Sequence, residues 1–106
     1  MPNQNLKECI EACQSCESAC ITCASNCIGS ADMAQCAKLC LDCAEICSAC
    51  ATFCARDSQF ANRVATLCAD ICEACVKECE KYDNEHCRSC KEECKKCAGK
   101  CRSMAA

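Results

Sequence analysis

One stretch decides how this chain folds: Cys36-Ala-Lys-Leu-Cys40-Leu-Asp-Cys43-Ala-Glu-Ile-Cys47-Ser-Ala-Cys50-Ala-Thr-Phe-Cys54. Its cysteines follow one another at spacings of 4, 3, 4, 3 and 4 residues, which places them on one face of an α-helix. Thiols stand where leucines normally pack against a partner helix. Packing alone does not require sulfur at every such position, so the pattern indicates a chemical role for the thiols.

The same alternation recurs along the rest of the 106 residues. It predicts one domain spanning residues 1–106, with helices over about 5–28, 33–56, 59–81 and 85–103. Asn5 with Glu8 resembles a capping box, and Asp32 opens a similar pattern. Gly29 suits a helix C-cap, and Ser58 is the expected N-cap of the third helix.

Short connections between helices predict an all-α fold, an antiparallel up-down-up-down four-helix bundle with a Cys-lined core. Aligned in these directions, the helices form six layers, and all 21 cysteines fall in the 24 seam positions. From one end the layers are Cys27/Cys36/Cys79/Cys87, Cys23/Cys40/Cys75/Cys90, Cys20/Cys43/Cys72/Cys94, Cys16/Cys47/Cys68/Cys97, Cys13/Cys50/Ala65/Cys101 and Cys9/Cys54/Ala61/Met104. Four stripes of matching length support the bundle.

The composition also requires a core made of sulfur. Only 13 residues are Val, Ile, Leu or Phe, against 21 cysteines. A secreted disulfide scaffold is one alternative, but no export signal is recognised at the N-terminus, which predicts a cytoplasmic protein. Cysteines three or four residues apart on a helix also have Cβ atoms ~5–6 Å apart, too far for a disulfide. A merely packed thiol core is a second alternative, which leaves the uniform choice of sulfur unexplained.

Soft metal ligation explains that choice. The cysteines also form ten Cys-x-x-x-Cys pairs, which place two sulfurs on opposite sides of one ion. Thiolates select Cu(I), zinc and iron–sulfur clusters, and Cu(I) accepts two or three sulfurs whereas a closed zinc site needs four. Since Cu(I) also balances the charge of one thiolate, we expect between about ten and about twenty Cu(I) ions per chain. A zinc or iron–sulfur protein, for sequestration or electron transfer, remains the alternative.

Other functions lack a supporting pattern. The net charge is −3 with both signs interspersed, so we expect no nucleic-acid partner. No apolar stretch has the length of a membrane span. The single histidine, His86, has no accompanying catalytic constellation, so an enzyme is not predicted.

The repeated Cys-x-x-x-Cys pairs and the missing export signal resemble the bacterial copper storage proteins, specifically the cytosolic branch of that family. The resemblance covers nearly the whole chain. It implies storage of many Cu(I) ions within each four-helix bundle and assembly into a homotetramer.

Met33 and His86 lie at the end of the bundle formed by Cys27, Cys36, Cys79 and Cys87, which we call the mouth. A thioether and an imidazole at this position suit the transfer of Cu(I) inward. The alternative is that Met33 plugs the bundle and His86 is a solvated first-turn residue. Leu6, Ala61, Ala65 and Met104 predict an apolar closure of the far end.

Overall fold

The computed structural model describes residues 3–106. Met1 and Pro2, part of the segment in which no export signal is recognised, lie outside the described residues. The helices are α1 (Asn3–Cys27), α2 (Ala34–Ala55), α3 (Ala61–Cys79) and α4 (Glu85–Ala105), with a 3₁₀ turn at Ala31–Met33.

The helices close into a ring in which each contacts two neighbours. Helix α1 packs against α2 and α4, and α3 packs against the same two helices. Because every connection is short, consecutive helices run antiparallel, and the described residues measure 45 × 17 × 17 Å. The predicted all-α four-helix bundle is confirmed.

The centre of the bundle consists of cysteine and alanine. All 21 cysteines are at most 2% exposed, so the 4-3 alternation does mark the buried face of each helix. The remaining buried apolar residues are Ala24, Ala44, Ala51, Ala61, Ala65, Ala69 and Ala98. The core is therefore lined with thiols throughout, as the sequence predicts.

One helix end matches its predicted cap, and a second has a cap that was not predicted. Gly29 has a φ of +93°, the left-handed conformation that ends many helices. A Cβ at Gly29 would meet no atom within 4 Å, so the backbone angle, and not crowding, favours glycine there. At the start of α4, the Asn84 side chain accepts a hydrogen bond of 2.8 Å from the Cys87 amide.

The other predicted caps are wrong in detail. Asn5 lies inside α1, which begins at Asn3, and Glu8 accepts a hydrogen bond of 2.7 Å from the Gln4 side chain. Asp32 lies within the 3₁₀ turn, and α2 begins without a side-chain cap. Ser58 organises the preceding turn, where its hydroxyl accepts a hydrogen bond of 3.0 Å from the Phe60 amide.

Ion pairs on the surface link α4 to both of its neighbours. Lys100 lies 2.9 Å from Glu8 on α1, and Arg102 lies 2.7 Å from Asp70 and 2.8 Å from Glu73 on α3. These groups are exposed to solvent, which screens their charges, so the pairs add little to the stability of the bundle. No helix within residues 3–106 is both long and apolar enough to cross a membrane.

Candidate metal centre

Helices α2, α3 and α4 bring their sulfurs together in the layers expected from the sequence. Cys40 lies 3.8 Å from both Cys75 and Cys90. In the next layer Cys43 lies 3.6 Å from Cys72 and 3.9 Å from Cys94. Three helices are thus in register, and each of the four layers nearest the mouth presents three of their sulfurs around the axis.

Helix α1 is offset from this register by about half a layer towards the mouth. Cys20 lies 3.8 Å from Cys94 in its own layer and 3.7 Å from Cys90 in the next. Other α1 sulfurs likewise contact an α4 sulfur of the next layer towards the mouth. These pairs are Cys23–Cys87 (3.8 Å), Cys16–Cys94 (3.6 Å), Cys13–Cys97 (3.7 Å) and Cys9–Cys101 (3.6 Å). The sulfurs of α1 therefore lie between two layers and connect them.

This offset produces groups of four sulfurs that draw on neighbouring layers. Within each group all sulfurs lie within 4.8 Å of one another, as in Cys9/Cys13/Cys50/Cys101, Cys16/Cys43/Cys47/Cys72 and Cys20/Cys75/Cys90/Cys94. Two sulfurs on a tetrahedral ion with bonds of ~2.3 Å are about 3.8 Å apart. The spacing therefore suits a metal without rearrangement of the helices, but it does not by itself separate Cu(I) from zinc.

The thiols are free, and the distances between neighbouring sulfurs are longer than a disulfide bond. All 21 cysteines are free, and neighbouring sulfurs such as Cys43 and Cys72 are 3.6 Å apart, whereas a disulfide bond measures ~2.05 Å. The structure thus contains no disulfide scaffold within residues 3–106.

Charge distinguishes the metals better than distance does. The buried residues within 4–106 include no lysine, arginine or histidine, and Glu78 is the single buried charged side chain. Thiolates formed in this core have no protein cation to balance them, and burying uncompensated charge is costly. The bound metal itself must supply nearly all of the positive charge.

The thiols at the mouth hold their protons tightly before a metal binds. Burial, together with the nearby Cys23 thiol, raises the pKa of Cys27 to about 12 and that of Cys87 to about 11. Burial also raises the pKa of Cys36, in the same layer. These three thiols are neutral at pH 7, so metal binding at the mouth must displace protons.

His86 makes direct contact with the core. Its Nδ1 atom lies 3.4 Å from the Cys23 sulfur and 3.7 Å from the Cys87 sulfur. The half-buried ring also lines a surface groove between α1 and α4, together with Ser18, Thr22 and other polar residues. An imidazole that touches two thiols and faces a groove is well placed to pass a soft ion inward.

Met33 ends the 3₁₀ turn, where it is half-buried and packs against the core beside the mouth. At the far end Ala61 and Ala65 are buried, and Leu6 and Met104 pack partly buried against the thiols. Both ends thus have the apolar neighbours that the sequence indicates.

Sequence reasoning missed two residues near the mouth. Glu78 is 6% exposed, and Tyr82 packs against the core while its hydroxyl lies 3.0 Å from the Asp32 carbonyl oxygen. The signal was weak, because Glu78 reads as an ordinary charged residue next to Cys79. The one sequence signal for Tyr82 is that it is the sole tyrosine of the chain.

Comparison with known families gives one match over nearly the whole chain. The family model described as Csp, copper storage protein, matches residues 2–106. A search of curated protein sequences gave no significant match.

Several solved structures are similar throughout. Copper-free Csp3, a copper storage protein from Bacillus subtilis, is 44% identical, with 94% of this chain and 98% of that chain covered and a TM-score of 0.90. The Cu(I)-bound copper storage protein BsCsp3 is 42% identical over 96% of this chain and 99% of its own, with a TM-score of 0.91. A cytosolic copper storage protein from Streptomyces lividans, seen with five coppers during loading, is 33% identical over 98% of this chain and 94% of its own, with a TM-score of 0.94.

Proposed function

This chain belongs to the copper storage protein family, and we propose that it stores many Cu(I) ions in its sulfur-lined core. One observation carries the proposal: 21 free thiols are buried together with no buried basic side chain among residues 4–106. A soft monovalent cation matches both the sulfur ligands and the charge they acquire on losing their protons. The role is storage and not catalysis.

All 21 cysteines are assigned as ligands, with a capacity between about ten ions, one for each Cys-x-x-x-Cys pair, and about twenty, one for each thiolate. The zinc alternative is disfavoured because four thiolates around one Zn²⁺ leave two uncompensated negative charges. Iron–sulfur binding is disfavoured because the similar BsCsp3 structure contains Cu(I).

An anaerobic titration against a strong Cu(I) chelator tests this capacity. We expect the protein to withdraw ten or more equivalents before the chelator retains copper. The same titration with Zn²⁺ is the control, and it should not release the bound Cu(I). A stoichiometry of only one to four Cu(I) would contradict storage in the core.

Copper is proposed to reach the core at the mouth, with Met33 and His86 as transient ligands. The contacts of His86 with Cys23 and Cys87 support this role. Replacing both Met33 and His86 by alanine should slow Cu(I) uptake while leaving the capacity unchanged. Ser89→Ala alters the same groove one turn from His86 and is the matched control. Equal uptake rates in all three proteins would exclude the role.

We further propose a cytosolic homotetramer. The Streptomyces relative is described as cytosolic, and exposed apolar side chains on the bundle surface suit a contact with other copies. Ile21, Leu41 and Leu67 are 48%, 56% and 50% exposed, an arrangement that favours association. Sedimentation velocity should give about four times the monomer mass, and a monomer at micromolar concentration would count against the assembly.

A further inference from the structure

The buried carboxylate of Glu78 belongs to a small polar network beside the mouth. Glu78 accepts a hydrogen bond of 2.9 Å from the Lys81 ammonium group. The Tyr82 hydroxyl lies 3.2 Å from the other carboxylate oxygen of Glu78 and 3.0 Å from the backbone carbonyl of Asp32. Tyr82 thus connects the end of α3 with the 3₁₀ turn, across 50 positions of sequence.

This connection spans the mouth. Asp32 precedes Cys36 by one helical turn, and Tyr82 follows Cys79 by three residues. The sulfurs of Cys36 and Cys79 are 4.0 Å apart, and the Tyr82 ring and the Met33 side chain both pack against the core. The bond between Tyr82 and Asp32 therefore holds the 3₁₀ turn, with Met33, over the outermost sulfurs.

The network lowers the cost of releasing this bond but does not abolish it. A tyrosine hydroxyl has one proton, and two acceptors lie within reach of it. When the 3₁₀ turn moves away, the hydroxyl donates its hydrogen bond to Glu78. A hydroxyl left without a partner would oppose the opening of the mouth. Glu78 thus gives Tyr82 a second acceptor for the open arrangement.

We propose that Tyr82 is a positioning residue that latches the mouth, and that Glu78 accepts the hydrogen bond of its hydroxyl when the latch opens. For its role in copper uptake the latch rests on the proposed function. The latched arrangement covers the layer of Cys27, Cys36, Cys79 and Cys87, and the open one exposes it. Met33 moves with the turn that Tyr82 holds.

Tyr82→Phe removes the hydroxyl and keeps the ring. Loss of one hydrogen bond should raise the population of the open mouth, and thus the rate of Cu(I) uptake, by about fivefold, with no change in capacity. Asp83→Asn is the matched control: it breaks the exposed ion pair of 2.7 Å between Asp83 and Arg88, one residue away in the same connection, and should load like the unmodified protein.

Alkylation gives a readout that does not need copper. Brief treatment of the copper-free protein with iodoacetamide, followed by peptide mapping, should show faster modification of Cys27 and Cys36 in Tyr82→Phe, with Cys13 unchanged. Equal modification in the variant and the unmodified protein, or the same increase in Asp83→Asn, would overturn the latch. Absence of copper uptake in every protein would instead refute the storage function, so the two failures are distinguishable.

Discussion

Lowering the pH should weaken copper binding steeply, because protons and Cu(I) compete for the same thiols. Burial raises the pKa of Cys87 to about 11 and that of Cys27 to about 12. At pH 7 a thiol with a pKa of 11 is ionised in only about one molecule in 10⁴. Each of these two mouth thiols must therefore release a whole proton when it binds copper.

The size of the effect depends on how many thiols each ion uses. A Cu(I) ion held by two cysteines displaces two protons, so its apparent affinity should rise by about 100-fold for each unit of pH between 6 and 8. Near full loading, with about one ion per thiol, the release should fall to about one proton per copper. The sign is fixed, since raised thiol pKa values favour protons over metal as the pH falls.

Two measurements check this prediction. Chelator competition at several pH values gives the slope of affinity against pH, and an indicator dye in weak buffer counts protons during the titration. Cys27→Ser/Cys87→Ser is the control, and it should release correspondingly fewer protons at saturation. An affinity independent of pH, or fewer than one proton per early copper, would refute a core of protonated thiols.

Three further predictions follow from particular contacts. Cys50→Ser/Cys54→Ser should remove about one or two Cu(I) sites. Cys40→Ser/Cys43→Ser should remove more sites, because Cys40 and Cys43 have five other sulfurs within 3.9 Å. Equal losses of bound Cu(I) on titration would contradict this. Copper-free protein should lose thermal stability as the pH rises above about 8.5, because thiols ionise in the unfolded chain before they ionise in the bundle. The copper-loaded protein should keep its stability over the same range. A melting temperature of the copper-free protein that stays level to pH 11 would disprove this prediction. Asn84→Ala should cost about 1 kcal/mol by loss of its cap, and chemical denaturation that shows no change would exclude the bond to the Cys87 amide as a stabilising one.

The cysteine stripes made most of the fold predictable. On a helix, spacings of 4 and 3 residues leave one face for all the sulfurs, so the buried position of Cys43 or Cys72 follows from the sequence alone. Matching stripe lengths then place both residues in the same layer, and their sulfurs lie 3.6 Å apart in the structure.

Features that depend on tertiary packing were not predictable in this way. The offset of α1 depends on how side chains of adjacent helices interlock, which a periodic pattern does not encode. The bond between Tyr82 and Asp32 joins residues 50 positions apart and requires the fold before it can form. The expected cap at Asn5 is wrong, and Glu8 pairs with the Gln4 side chain, one helical turn away.

The offset of α1 also determines how an ion travels once inside. Sulfurs on one helix already join neighbouring layers, as at Cys90 and Cys94, which lie 3.9 Å apart, and the offset of α1 adds further steps between the layers. Because Cys20 lies 3.8 Å from Cys94 and 3.7 Å from Cys90, an ion bound there exchanges one sulfur at a time and keeps its others. On the proposed function the bundle would therefore serve as a conduit as well as a container, and ions admitted at the mouth would spread along its length without meeting water.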